Sequence, residues 1–472
     1  MMNKTLILMG VFFVSLCASL HGVEVSIEAD GMLNVDGERL FVLGFYDMPT
    51  ADGELDRLAA AGVNLVHSKA DSASLDLLHE RGLYGWLGTT NSIDLSEDVA
   101  SREEALRGMT AEFNDHPALL VWEVPDEALW NTWYGAEIWR RHKEPGEQKE
   151  AISTISDVAL RDKLSEEREA IDRLQMIGKN KEAEAMADDL WRTLGVDPPH
   201  PGYGLGNAEE RATVQCAGMV KGYHFLKGLS GRPIWMNHAP RNQIEQLAAY
   251  NHGADIVGCD IYPVPENSSI DHSDLANKKL SCVGDFTRRM GNAAPGKPVW
   301  MVLQGFGWGD IQRQRSEEER KVLRRPSKSE SRFMAYDAIV HGARGILYWG
   351  SAYVEKDSSF YEELLQVVGE LRDIQEVLAS PDANFDIQTR FEQVQGSVDR
   401  DIVVLAKKAA GTPWLLVVNE WTGPLVTTLS GLDALNGMKY RERYSGEILE
   451  IEQGAVRLHM SSRSVKVLEP LD

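Results

Sequence analysis

The sequence predicts an α/β fold: a (β/α)8 barrel with a helical insertion after strand 4 and a small C-terminal antiparallel β-domain. Short apolar runs typical of buried strands alternate with amphipathic helical segments, which is the pattern of βα units in a parallel sheet. Eight such runs lie between residues 40 and 349, the number that closes a barrel. Beyond about residue 385 the pattern changes to short strands separated by turn signals.

The eight strands are assigned to short apolar runs, several of which follow a glycine that ends a predicted helix. Gly62 and Gly82 stand just past such helices, where a left-handed C-cap favours glycine. At 472 residues the chain has room for a barrel at 23–384 and a β-sandwich-like domain at 385–472. The predicted strands are 40–46, 63–67, 83–87, 118–122, 233–237, 255–262, 298–303 and 345–349.

The alternation is interrupted after strand 4. Residues 131–207 carry no strand signal, and 147–194 are rich in Glu, Lys, Arg, Ala and Leu with apolar residues at helical spacing. This pattern predicts two or three amphipathic helices inserted in the loop. Such an insertion lies beside the end of strand 4, so it is either a lid or subsite wall, or a solvated hairpin or dimer contact.

The first 22 residues have the features of a secretory signal peptide. Lys4 precedes an apolar segment at 6–17 that is too short to span a bilayer. We therefore expect a secreted or periplasmic protein with no membrane span. The cysteines that remain after cleavage are too few for a disulfide framework, and buried free thiols with at most one bridge are expected: Cys216, Cys259 and Cys282.

The formal net charge of −23 argues against nucleic acid and anionic membranes as partners, since both attract basic surfaces. No metal motif and no phosphate-binding glycine loop is evident, and no cofactor is expected. The histidines lack the paired spacing of zinc sites and are interpreted as structural or rim residues: His67, His116, His238 and His252.

Two adjacent acids follow strand 4. Pro125 ends the apolar run, and Asp126 and Glu127 come next. Catalytic groups of (β/α)8 barrels lie at the C-terminal ends of the strands. Acidic groups there can serve as general acid and charge stabiliser in glycosidic bond cleavage. The alternative is that both acids cap the helix that follows them.

This stretch resembles the retaining glycoside hydrolases of clan A, which are TIM barrels whose strand 4 ends in Trp-x-x-x-Asn-Glu. Trp122 and Glu127 stand at that spacing, and Asp126 replaces the Asn. The resemblance covers about residues 40–379. It implies that Glu127 is the general acid/base of an enzyme acting on a poly- or oligosaccharide.

Aromatic residues gather at the predicted strand ends. Asp260 and Tyr262 end strand 6, similar to clan members with a Tyr beside the nucleophile, and Trp349 ends strand 8, similar to the aromatic floor under the reacting sugar. Sugars stack on aromatic rings, so a ring of aromatics at one rim predicts a sugar cleft, although core packing would explain any single one. The predicted substrate-binding residues are Tyr46, Trp86, Asn237, Tyr262, Gln304, Trp308, Trp349 and Tyr353.

Strand 7 departs from the clan A pattern, because Gln304 stands where the nucleophilic Glu is expected, and an amide cannot attack as a carboxylate does. Three interpretations remain open. Another carboxylate (Asp260, Asp310 or Asp126) acts as nucleophile or base with Glu127 as acid. Alternatively, the Asp126–Glu127 pair works as in hexosaminidases that use the substrate's acetamido group. In the third, the barrel is degenerate and binds carbohydrate without cleaving it.

Overall fold

The computed structural model describes residues 22–267, 276–392, 398 and 400–471. Nearly all of the predicted signal peptide, residues 1–21, falls outside this range. Eight parallel strands form a closed barrel, in which strand 8 returns to pair with strand 1 through Leu347 and Gly44. The prediction of a (β/α)8 barrel is therefore confirmed. Barrel strands 1 to 8 are Val42–Phe45, Leu65–His67, Tyr84–Gly88, Leu119–Glu123, Ile234–His238, Ile256–Ile261, Val299–Gln304 and Ala343–Trp349.

Helices surround the barrel and bury an apolar face against the strands, so both faces of the parallel sheet are covered. In the part of the chain that the structure describes, no helix is both long and apolar enough to cross a bilayer. The surrounding helices are Glu54–Ala61, Ser72–His79, Val99–Phe113, Ala208–Leu229, Ile244–Tyr250, Cys282–Ala293, Lys328–Val340, Ser359–Arg372 and Gln375–Ala379, with short helices at Trp308–Ile311 and Glu317–Val322.

The barrel interior is packed with side chains and closed at its base. Trp86, Trp235 and Trp300 are fully buried among aliphatic residues. Leu33 and Val35 join this cluster from the N-terminal sheet, which forms the floor. An interior filled in this way leaves the C-terminal mouth as the place for a ligand. The N-terminal strands are Val25–Ile27, Leu33–Val35 and Glu38–Leu40.

The insertion after strand 4 is helical, as predicted, and has a core of its own. Leu164, Ile171 and Leu190 are buried in that core. The Arg140 guanidinium lies 2.8 Å from Glu144 and 2.9 Å from Asp188, which joins two of the helices. The insertion is thus a packed helical body. Its helices are Ala128–Glu137, Glu144–Ser153, Val158–Met176 and Asn180–Thr193, with a π-helical stretch at Ile138–Lys143.

The C-terminal domain contains two antiparallel sheets that enclose a separate apolar core. Short strands were expected beyond about residue 385, and the described residues of this domain contain eight. The strands at 388 and 439 are hard to recognise because each has one apolar residue among polar and charged ones, and the strand at 425 because half of its residues are Thr or Ser. One sheet contains Gln388–Glu392, Leu425–Ser430 and Val456–Met460, and the other contains Ile402–Ala409, Thr412–Asn419, Lys439–Glu442, Ile448–Glu450 and Val465–Pro470.

Candidate active site

The end of strand 4 turns the chain so that its acids face the barrel mouth. Glu123 is the last residue of the strand, and Glu127 has a positive φ of 49° at the start of the next helix. Glu127 occupies the N-cap position, yet its side chain makes no capping hydrogen bond. Its backbone N–H donates instead to the carbonyl of Asn237 on strand 5, at 3.2 Å. The geometry does not support a capping role for the Glu127 carboxyl.

Glu127 and Asp260 are in direct contact. The carboxyl of Glu127 is hydrogen-bonded to Asp260, which requires a proton between the two acids. Burial raises the pKa of Glu127 to about 10, and the charges of Asp260 and Asp126 act in the same direction. Glu127 is therefore protonated at neutral pH, which is the state that a general acid needs.

Asp126 lies beside this pair and is open to solvent at the barrel mouth, although protein crowds it on its other sides. Asn237 connects the acids, since its Nδ2 donates to Asp126 at 2.8 Å and lies 3.4 Å from Asp260. Desolvation by the crowding protein, followed by the charge of Asp260, raises the pKa of Asp126 to about 7. The structure thus brings together Asp126, Glu127, Asp260 and Asn237, all of which were predicted site residues.

A fourth acid, Glu123, was not predicted. Its carboxylate accepts hydrogen bonds from the indoles of Trp86 at 2.9 Å and Trp235 at 3.1 Å, and from the Tyr46 hydroxyl at 3.4 Å. Burial, followed by the charge of Asp126, raises the pKa of Glu123 to about 8, although the three donors act in the opposite direction. The available signal was a charged residue at the end of an otherwise apolar strand.

The predicted aromatic residues differ in how far their rings are exposed. Tyr262 and Trp349 stack with ring centroids 5.6 Å apart, and Trp349 is partly exposed. Tyr353 contacts Trp349 at 5.8 Å and is 44% exposed, so it offers the most open ring. Trp308 is buried, with its indole N–H 3.3 Å from the carbonyl of Tyr262. Tyr46 is partly buried above the Glu123 carboxylate. Tyr262, Trp349 and Tyr353 thus form a continuous aromatic wall.

Two predicted substrate contacts have no exposed surface in this structure. Trp86 is 0% exposed, and its N–H is used by Glu123. Gln304 is also 0% exposed. Its amide accepts from the N–H of Val264 at 2.9 Å and donates to the carbonyl of the same residue at 2.8 Å. Gln304 therefore fixes the loop that follows strand 6, a role that the sequence did not indicate.

The remaining polar candidates lie outside the acidic cluster. Asp310 makes a bidentate ion pair with Arg325 at 2.8 Å, so it is committed to holding its own loop. His238 is buried against Asn251, and burial lowers its pKa to about 4, which keeps the ring neutral. His67 stacks on Trp86 with centroids 5.3 Å apart. Both histidines have the structural or rim placement that was expected.

Comparison with known proteins indicates the fold. No protein-family model matches the chain, and no curated protein does. A family 5 glycoside hydrolase from Bacteroides vulgatus is 12% identical, covers 96% of this chain and 94% of that one, and superposes with a TM-score of 0.52. A catalytic mutant of a GH42 beta-galactosidase from G. stearothermophilus is 10% identical, with 91% and 98% covered and a TM-score of 0.51. This chain has the fold of these glycoside hydrolases.

Proposed function

We propose that the protein is an exported glycoside hydrolase that cleaves a poly- or oligosaccharide, with Glu127 as the general acid. The observation that carries the proposal is the protonated Glu127 carboxyl, held against Asp260 at the C-terminal mouth of the barrel. A carboxylic acid that keeps its proton at neutral pH can transfer it to a leaving glycosidic oxygen. The fold shared with glycoside hydrolases, and the aromatic wall formed by Tyr262, Trp349 and Tyr353, support the same function.

Asp260 and Asp126 are the candidates for the second carboxylate. Retaining enzymes need a separation of about 5 Å between the carboxyl groups and inverting enzymes about 6.5–9.5 Å, so that the sugar or a water fits between them. The hydrogen bond between Glu127 and Asp260 is shorter than either distance. A substrate would therefore have to part this pair, after which Asp260 would attack the anomeric carbon or activate a water. Alternatively, Asp126 would orient a substrate acetamido group that attacks in its place.

The second candidate function is carbohydrate binding without cleavage. Gln304 favours it, because the strand-7 position that holds the clan A nucleophile is occupied by a buried amide bound to Val264. A barrel that has lost this group can retain the aromatic wall and the acids as a binding surface. In that case binding should survive the substitutions that would stop an enzyme.

A panel of aryl glycosides and polysaccharides, assayed together with glycan binding, separates these functions. Glu127→Gln should remove most activity on natural glycans, roughly a 10²–10⁴-fold loss, and should affect substrates with good leaving groups less. Glu104→Gln is the matched control, because it makes the same change at an exposed position on a barrel helix. An unchanged rate in Glu127→Gln contradicts the acid assignment. Binding without turnover by the unaltered protein favours the second function.

Export is tested separately, by N-terminal sequencing of the mature protein. Cleavage near residue 22 supports the predicted signal peptide. A retained N-terminus on protein found inside the cell contradicts it.

A further inference from the structure

A second cluster of titratable side chains lies where the barrel meets the C-terminal domain. Asp337 belongs to the helix Lys328–Val340, His341 follows it, and Glu420 follows the strand Thr412–Asn419. One donor atom from each lies within 4.8 Å of the other two. The Nε2 atom of His341 is 2.6 Å from Oε1 of Glu420 and 3.9 Å from Oδ1 of Asp337. The three side chains are 0–5% exposed.

Each carboxylate uses its outer oxygen for a fixed donor and points its inner oxygen into the cluster. Oδ2 of Asp337 accepts from the N–H of Gly284 at 2.7 Å, and the carboxyl is also in contact with Glu420 inside the cluster. Oε2 of Glu420 lies 3.4 Å from the Arg400 guanidinium, and Oε1 faces His341. Outer donors that orient inner ligand atoms are the usual surroundings of a metal ligand.

The imidazole is held as firmly as the carboxylates. A Cβ built on Gly284 would lie 2.2 Å from Cδ2 of His341, so only glycine allows the helix Cys282–Ala293 to approach the ring this closely. The contact leaves the His341 ring little freedom to turn away from the acids. Three donors of the kinds that bind transition metals are thus directed at one buried point.

The charges of the cluster require a cation at this point. Two buried carboxylates that face each other are unfavourable unless positive charge compensates them. Arg400 compensates only in part, because its guanidinium also binds Asp285, at 2.6 and 3.0 Å. Either a proton shared among Asp337, His341 and Glu420, or a metal ion, must supply the remainder.

We propose that Asp337, His341 and Glu420 bind a divalent transition-metal ion, best matched by Zn²⁺, which fastens the C-terminal β-domain to the barrel. Zinc accepts imidazole and carboxylate ligands and commonly takes three protein ligands with water as the fourth. For bonds of about 2.1 Å the donors of a tetrahedral site lie about 3.4 Å apart. The observed separations of 2.6 and 3.9 Å lie on either side of that value, so small shifts suffice.

The test is zinc uptake by the full chain after treatment with a chelator. We expect one Zn²⁺ per chain by elemental analysis, and a melting temperature several degrees higher with zinc than without it. Asp337→Asn and Glu420→Gln should lower the stoichiometry and reduce the thermal response, since each removes a ligand charge with little change of volume. His252→Gln is the control, because it removes an exposed histidine from the barrel surface and should leave both results unchanged.

Substitution with Co²⁺ keeps the test decisive if a variant fails to fold, because it needs only the unaltered chain. Absorption bands of a tetrahedral Co²⁺ site with nitrogen and oxygen ligands support the proposal. Chelated protein that takes up no Zn²⁺ overturns it, as does uptake that persists in Asp337→Asn. A melting temperature that depends on pH between 5 and 8 but not on zinc also overturns it, and identifies a shared proton as the cation. None of these outcomes depends on glycosidase activity.

Discussion

Replacing Gln304 by Glu tests whether this position can still hold a catalytic carboxylate. A neutral Glu could repeat both hydrogen bonds to Val264, but an ionised one would place negative charge against the Val264 carbonyl in a site with no exposure. Holding the side chain protonated costs about 1.4 kcal/mol per pH unit above the unfolded-state pKa of about 4.3. The expected loss of stability is therefore small near pH 4 and approaches about 4 kcal/mol at pH 7, a large part of a typical folding free energy.

Urea unfolding followed by tryptophan fluorescence at pH 5, 6 and 7 measures this loss. The pKa of the introduced carboxyl would be raised in the folded state, so stability relative to the parent should fall as pH rises through this window. Gln314→Glu, on the exposed loop after the same strand, is the control and should change stability by about 0.5 kcal/mol or less. A Gln304→Glu protein as stable as the parent at pH 7 would refute the argument, and a gain of glycosidase activity in it would mean that the position remains catalytically usable.

Two further predictions concern the acids at the mouth. Burial raises the pKa of Glu123 to about 8, so the free energy of unfolding of the parent should fall as pH rises from about 4.5 to 8. Glu123→Gln should flatten this decline but cost about 1–3 kcal/mol at low pH, because its amide would direct a donor at the Trp86 or Trp235 indole. Urea unfolding at several pH values measures both effects. Asp260→Asn removes the negative charge beside Glu127 but keeps an oxygen that can accept its proton, so the pKa of Glu127 should fall from about 10. Infrared titration of the protonated carboxyl would detect the change, and an unshifted titration of its carboxyl band would contradict the contact.

The barrel could be predicted because its signals are local. Each strand is a short apolar run, and Gly62 and Gly82 stand at or shortly after helix ends in the left-handed conformation, with φ of 101° and 67°. Asp126, Glu127 and Asp260 could also be placed, since parallel strands deliver the residues after them to one rim. The pairing of Gln304 with Val264 joins backbone and side chain across 40 positions, so no sequence spacing reveals it. The same holds for the cluster of Asp337 with Glu420, whose partners lie in different domains.

The role of Glu123 was missed because it depends on which way the side chain points from its strand, and this placement also bears on mechanism. Side chains alternate along strand 4, so Trp122 points outward to Ser230 while Glu123 points inward to Trp86 and Trp235. Glu123 is thus a further acid beneath the mouth of a site where Asp126 and Glu127 also have raised pKa values. Neighbouring carboxylates in a buried site cannot all ionise, so a cluster of this kind retains a proton at neutral pH. An additional carboxylate on strand 7 would increase this repulsion, whereas the neutral amide of Gln304 does not.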